Sequence, residues 1–158
     1  MFRPMRRFKQ QLENDECIAI LKNEKRGVLA LIGDEGYPYC IPMNHFYDEK
    51  DGKIYFHGAK EGHKIDSIKG CDKACFCVYD KGYVKEGEWA LNIKSVVAFG
   101  RIKLVEDIKK AEEICSRLFL KFSDDKEQLN KELERSLARV QCLEFIIDHM
   151  TGKLVKES

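Results

Sequence analysis

The stretch IYFHGAKEGHKID, residues 54–66, changes character in its middle. It starts with the apolar and aromatic residues of a buried strand and ends with the polar and charged residues of a short helix. Two glycines, two histidines and two lysines lie where the strand would give way to the helix. A helix N-terminus presents unpaired backbone N–H groups and a partial positive charge, and this combination favours phosphate binding.

The side chains at this corner suit the same ligand. Gly58 and Gly62 let a ligand approach the backbone closely. Lys64 adds a full positive charge, and His57 and His63 add hydrogen-bond donors. The stretch therefore predicts a phosphate-binding corner. An ordinary loop with solvated charges is the alternative, because short Gly/Lys motifs are common in proteins.

Strand-like segments joined by short turns lie on both sides of this corner. We expect strands or extended segments at 28–32, 37–47, 54–57, 73–80, 95–105 and 140–150. We expect a helix at 62–69, two more helices after Asp107, a loop at 81–89 and a turn at TGK, 151–153. The regular strand–helix alternation of a doubly wound fold is absent. The pattern therefore predicts an antiparallel sheet or small barrel with added helices, a mainly β (α+β) fold.

Composition narrows the class of protein. The length of 158 residues predicts a single domain, and 28 basic against 27 acidic residues argue against a nucleic-acid partner. No run of about 18 apolar residues is present, so we expect no membrane association. The first residues lack the apolar core of a secretory leader, so we expect a cytoplasmic protein whose seven cysteines are reduced thiols.

Four motifs occur together along the chain: GVLAL at 27–31, YPYCIPMN at 37–44, IYFHGAKEGHKID at 54–66 and SVVAFGRI at 95–102. Their order and spacing resemble the pyridoxamine-5′-phosphate-oxidase-related flavoproteins of the FMN-binding split-barrel fold. The resemblance is closest to the branch that includes 5-nitroimidazole-resistance proteins, and it covers roughly residues 5–155. It implies a six- or seven-stranded antiparallel split β-barrel with peripheral helices, in which residues 1–158 form one FMN-binding domain.

The resemblance also implies a homodimer with FMN bound at the subunit interface. The residues that match the family segment for the FMN phosphate and ribityl chain are His57, Ala59, Gly62, His63 and Lys64. Those that match the segment along the isoalloxazine ring are Pro42, Met43 and Asn44. Ser95 and Val96 match a strand that often reaches the flavin from the partner subunit.

The implied activity is that of an FMN-dependent oxidoreductase. It would pass electrons from a nicotinamide donor to a small electrophile such as a nitroaromatic or quinone. True pyridoxamine phosphate oxidation is not expected, because the arginines for the substrate phosphate and the C-terminal segment of those enzymes are missing. As a separate departure from the family pattern, Ile93 stands where many relatives carry an aromatic residue. Two alternatives stay open: a flavin-binding module for sensing or storage, and the same fold with haem or a deazaflavin.

Three other features have a functional and a structural interpretation. His45 follows the predicted ring segment and is the candidate catalytic residue, as a proton donor or substrate-orienting group, although a packed strand histidine is the alternative. Cys75 and Cys77 share a strand face, but their spacing fits no zinc motif, so we expect no metal. Trp89 could stack on a ligand, contact a partner subunit or pack within the chain.

Overall fold

A computed structural model describes residues 1–156, and it shows a mostly antiparallel sheet that curls into a half-barrel with a few helices outside it. The strands are β1 (Gln11–Leu12), β2 (Arg26–Ile32), β3 (Pro38–Asn44), β4 (Phe46–Asp48), β5 (Lys53–Ala59), β6 (Lys73–Tyr79), β7 (Tyr83–Val84), β8 (Leu91–Val105) and β9 (Val140–Val155). The helices are α1 (Asn14–Asn23), α2 (His63–Gly70), α3 (Ile108–Leu120) and α4 (Lys126–Ser136).

Seven strands form the continuous sheet, in the order β3-β2-β6-β8-β9-β5-β4, and every pair is antiparallel. The two-residue strands β1 and β7 attach to β9 and β8. The predicted antiparallel split barrel with peripheral helices is therefore confirmed. Among residues 1–156, no helix is long and apolar enough to cross a membrane.

The core forms because apolar residues alternate along the strands, as period-2 side-chain geometry requires. Leu29 and Leu31 of β2 and Phe76 and Val78 of β6 point inward and are buried, while their neighbours point outward. Helix α1 contributes its own buried face to this core, formed by Cys17, Ile20 and Leu21.

The opposite side of the sheet carries what we call the outer apolar face. The strand register aligns two rows of outward residues, Pro42–Val28–Cys77–Val97–Thr151 and Cys40–Ala30–Cys75–Phe99–His149. Tyr79 and Phe99 remain 57% and 39% exposed near these rows. Phe2 of the N-terminal segment contacts this face: its ring stacks on His149 at 4.7 Å and lies 5.5 Å from Phe99.

The prediction of a turn at 151–153 was wrong, because these residues continue β9 and pair with Ser95–Val97. Gly152 is needed for packing instead. A Cβ atom at position 152 would lie 2.4 Å from Cys17 Sγ and 3.1 Å from Leu12 Cβ, so the glycine lets α1 and β1 approach the sheet. The predicted loop at 81–89 also contains the short strand β7.

Helices α3 and α4 pack over the other end of the sheet. Ile114 and Leu118 of α3 are buried against Phe46 and Tyr55. Arg117 of α3 forms an ion pair with the buried carboxylate of Asp48, and its guanidinium lies 4.5 Å from the ring centre of Phe46. These contacts fix α3 on β4 and β5, so that α3 and α4 form the wall of a cavity beside β5.

Candidate functional site

Strand β5 ends at Ala59 and α2 begins four residues later at His63, so the predicted strand-to-helix corner is present. Gly62 precedes the helix with φ +117°, and no side chain caps the helix. The first bonds of the helix run from the N–H groups of Ile65 and Asp66 to Gly62 O, at 2.9 and 3.1 Å. The N–H groups of His63 and Lys64 precede these bonds and are the donors that a helix start offers to a ligand.

Lys64 turns back from α2 over the end of β5. A Cβ atom at position 58 would lie 2.5 Å from Lys64 Nζ, so the absence of a side chain at Gly58 makes room for the ammonium group. Lys64 Nζ donates to Met43 Sδ at 3.7 Å, and a thioether is a weak acceptor. Burial lowers the pKa of Lys64.

No carboxylate in residues 1–156 forms an ion pair with Lys64. A partly buried ammonium without a strong acceptor is unfavourable, because part of its hydration is lost without replacement. An anion bound at this corner would supply the missing acceptor. The corner therefore has the charge and the backbone donors that a phosphate site requires.

The same contact joins two of the predicted segments. Met43 is buried in β3, 21 positions before Lys64, and the fold brings its sulfur to the Lys64 ammonium. Pro42, its neighbour, is exposed. The segment predicted to lie along the flavin ring and the segment predicted to hold the phosphate are thus adjacent in one chain.

A cavity of about 390 Å³ opens beside these segments. Asn44 and His57 line it, and the Asn44 side chain is fixed by a 2.8 Å bond from Arg26 Nε to its Oδ1. Its other lining residues come mostly from α3, α4 and β9: Cys115, Leu118, Phe119, Phe122, Ser123, Gln128, Leu129, Glu132, Leu133, Ser136, Leu137 and Val140. A mostly apolar cavity of this size with a few polar groups is typical of small-molecule sites.

The His63 side chain points towards Tyr39 and Asp34, away from the expected phosphate position. Its ring stacks on Tyr39 with centroids 4.0 Å apart, and Nε2 lies 3.7 Å from a carboxylate oxygen of Asp34. The imidazole is thus held against the β2–β3 turn. What His63 offers at the helix start is its backbone N–H.

Ser95 and Val96 do not join this corner within one chain. They lie on β8, which is separated from β3 by β2 and β6 and from β5 by β9. Val96 is fully buried in the core, and Ser95 points to the same side as Val97 of the outer apolar face. A contact from Ser95 to a ligand at the corner would therefore have to come from a second subunit.

His45 has no exposed surface, so its side chain does not reach a substrate. Its Nε2 is 2.8 Å from Leu21 O and donates to that carbonyl, while its ring packs edge-on against Phe76 at 4.9 Å. Burial, helped by the nearby charge of Lys121, lowers the pKa of His45 to about 3. This histidine has the environment of a packed core residue, and the candidate site excludes it.

The remaining sequence candidates lie outside the corner. Cys75 and Cys77 are on the outer apolar face, and burial raises the pKa of both thiols. No group of three or more His, Cys, Asp or Glu residues within 1–156 is arranged to hold a metal ion. Trp89 is 80% exposed, so it does not pack within its own chain.

Sequence reasoning missed two features of the cavity. The first is its wall of leucines and phenylalanines, whose signal is the pair of successive amphipathic helices α3 and α4. The second is the approach of Cys115 on α3 to Cys142 on β9, with 3.6 Å between the two sulfurs. No local pattern marks that pair, because the two residues belong to different elements.

Comparison with known proteins agrees with this architecture. A family model described as pyridoxamine 5′-phosphate oxidase matches residues 13–154, and the chain belongs to this family. Its members include oxidoreductases and flavin-binding proteins. No curated protein matches the sequence significantly.

Solved structures show the same fold at low identity. A candidate 5-nitroimidazole antibiotic resistance protein from Bacteroides thetaiotaomicron is 20% identical with a TM-score of 0.78, covering 91% of this chain and 86% of that one. A FAD-binding protein from Mesorhizobium loti is 21% identical with a TM-score of 0.66, covering 93% and 98%. A FAD- and haem-binding protein from Mycobacterium smegmatis is 18% identical with a TM-score of 0.75, covering 93% and 74%.

Proposed function

We propose that this protein is an FMN-dependent oxidoreductase that passes electrons from a nicotinamide donor to a small electrophile. The observation that carries the proposal is Lys64, a partly buried ammonium beside a helix start, whose only acceptor within residues 1–156 is the thioether of Met43. The flavin phosphate would bind between this ammonium and the N–H groups of His63 and Lys64.

In this proposal the flavin would also contact Pro42–Asn44 and His57. The backbone of Pro42–Asn44 would lie along the ring, and the side chains of Asn44 and His57 would border it from the cavity. A bound flavin would supply the electron-transfer chemistry, while the protein binds it, orients it and limits the access of water. The apolar wall of the cavity suits a nitroaromatic or quinone better than a strongly charged acceptor.

A homodimer is part of the same proposal. The outer apolar face presents two rows of mostly small and apolar side chains across five strands, which is the kind of surface that a second subunit covers. A second copy docked there would cover Cys77, Val97 and Phe99 and would bring Ser95 towards the partner's corner. Trp89, which is 80% exposed, would be available to the same interface.

The test is a titration of the purified chain with FMN and with FAD, followed by flavin absorbance and fluorescence. We expect saturable binding of FMN, tighter than that of FAD because the corner offers a single anion site at the end of the ligand. The loaded protein should oxidise a nicotinamide donor when a nitroaromatic or quinone is added, and it should sediment as a dimer.

Each failure has a distinct meaning. Absence of a flavin signal on titration would refute the flavin site. A haem-type absorbance band, or binding of a deazaflavin, would show that the cofactor is not FMN. Flavin binding without donor oxidation by any acceptor would favour a sensing or storage module over an enzyme. Tighter binding of FAD than of FMN would show that FAD is the cofactor, as the names of two structural neighbours state for those proteins.

A further inference from the structure

Two thiols meet at the cavity on the side away from the proposed phosphate corner. Cys115 Sγ on α3 and Cys142 Sγ on β9 are 3.6 Å apart. Cys115 is partly buried and lines the cavity, whereas Cys142 is 1% exposed and also lies 3.5 Å from Ala111 O. A small movement of either side chain would bring the sulfurs to bonding distance.

The two thiols have unequal surroundings. The two sulfurs are within hydrogen-bond distance of each other, and this contact, together with the nearby His57 imidazole, lowers the pKa of Cys115. The contact with Cys115, followed by burial, raises the pKa of Cys142. The negative charge belongs on Cys115, because this sulfur faces the cavity and the imidazole while Cys142 is enclosed. The pair therefore combines a thiolate open to the cavity with a protonated thiol behind it.

We propose that Cys115 and Cys142 form a redox-active pair that reduces a small apolar hydroperoxide entering the cavity. The apolar wall next to Cys115, formed by Leu118, Phe119 and Phe122, favours an organic hydroperoxide over a charged oxidant. The proposal rests on the two sulfurs and the cavity. It does not depend on the flavin proposal.

The reaction balances in two steps. The Cys115 thiolate attacks the outer oxygen of the hydroperoxide, the O–O bond breaks, and the alkoxide takes a proton from water to leave as an alcohol, so that Cys115 becomes a sulfenic acid. Cys142 sulfur then attacks Cys115 sulfur, and the S–O bond breaks. The sulfenic oxygen leaves as water with the Cys142 proton. Two thiols lose two electrons, and the hydroperoxide gains them.

The disulfide product would cross-link two elements of the fold. A Cys115–Cys142 disulfide would join α3 to β9 in the wall of the cavity. The thiols of the outer apolar face, Cys40, Cys75 and Cys77, do not line this cavity. Oxidation of the pair is thus confined to one side of the molecule.

The experiment treats the full-length reduced chain with one equivalent of cumene hydroperoxide and follows free thiols, cumyl alcohol and disulfide-linked peptides by mass spectrometry. We expect one equivalent of alcohol, loss of two thiols and a dominant Cys115–Cys142 link that a dithiol reductant reverses. Cys115 should react at least about tenfold faster than Cys71, which is a partly buried thiol elsewhere in the fold.

Variants separate the two roles. Cys142→Ala should stop at the sulfenic acid, detected as a dimedone adduct on Cys115, and Cys115→Ser should abolish the fast reaction. Cys71→Ser, the matched control, should react like the parent chain. Reaction of Cys115 no faster than Cys71 in the parent chain, or a mixture of links without a dominant Cys115–Cys142 peptide, would overturn the proposal whether or not the variants fold.

Discussion

Lys64 at the β5–α2 corner and Lys121 at the end of α3 are both partly buried, and burial lowers the pKa of both. Their acceptors differ. Lys121 Nζ donates to Glu24 O at 2.6 Å and to His45 O at 2.7 Å, so it ties α3 to the end of α1 and the start of β4. Lys64 Nζ donates to the sulfur of Met43 at 3.7 Å.

The difference shows that burial and a lowered pKa do not by themselves identify a binding site. Lys121 has a pKa of about 8 and is nevertheless a structural residue, because two carbonyl groups use its protons. Lys64 is a candidate ligand group because its protons have no comparable use within residues 1–156. The acceptors of each lysine therefore decide its role, and the following changes test this distinction.

The largest effect is expected for Lys121→Met. Removing two charge-assisted hydrogen bonds and leaving two carbonyls without a partner should lower the free energy of unfolding by about 3–4 kcal/mol. Urea unfolding measures this change, and Lys64→Met is the matched control, with an expected loss under about 1 kcal/mol. If Lys121→Met bound flavin more weakly than the wild type and unfolded at the same urea concentration, Lys121 would be a binding residue and the structural role assigned to it would be wrong.

The next effect is a pH dependence of the free energy of unfolding, caused by His45, whose backbone carbonyl accepts a hydrogen bond from Lys121. The pKa of His45 is about 3 in the folded chain and about 6.5 when unfolded, so between these values the unfolded chain binds one more proton and stability falls as the pH falls. Between about pH 6 and pH 4 the wild type should lose about 2–3 kcal/mol more than His45→Gln, which cannot titrate there. Urea unfolding at each pH gives both curves, and parallel curves would contradict a buried neutral His45.

A third effect concerns binding. Lys64→Ala should weaken FMN affinity by about 1–3 kcal/mol, about 5- to 150-fold in Kd, because a charge-assisted contact to phosphate is lost. Folding should change little. Fluorescence titration measures the affinity, and Lys60→Ala is the control because it removes an exposed lysine from the same loop. Equal affinity of Lys64→Ala and the wild type would exclude the phosphate position proposed here.

The smallest effect is expected for Gly58→Ala. The new Cβ would lie 2.5 Å from Lys64 Nζ, so the flexible end of the lysine must move, and FMN affinity should fall by about 1 kcal/mol. In the Lys64→Ala background the same change should have little further effect, because the displaced group is gone. An equal loss in both backgrounds would show that Gly58 acts without Lys64.

Much of the fold could be predicted because the relevant signals are local. The apolar and aromatic residues of KACFCVYD, residues 73–80, predict a strand with Cys75 and Cys77 on one face, and the structure has β6 there with both cysteines on its outward face. The turn at 151–153 was misassigned because a threonine, a glycine and a lysine resemble a turn in sequence. The packing of Cys17 and Leu12 against Gly152, which explains the glycine, involves residues more than 130 positions away.

The residues of the candidate corner could be predicted from the sequence, but the packing around each side chain could not. Residues 57–64 carry the glycines, histidines and lysine of a strand-to-helix corner, and the structure contains that corner. The same reasoning could not separate His45, which is enclosed by the core, from His57, which lines the cavity. His45 lies between β3 and β4 and His57 lies within β5, and the elements packed around the two side chains differ.

The sequence by itself determined the strand pattern, the helix start after Gly62 and the charge beside it, because each depends on residues that are neighbours in the chain. The tertiary structure alone decided which lysine has strong acceptors and which cysteines face each other. These properties depend on atoms supplied by β3, β9 and α3, and the chain must close its sheet and dock its helices before those atoms meet.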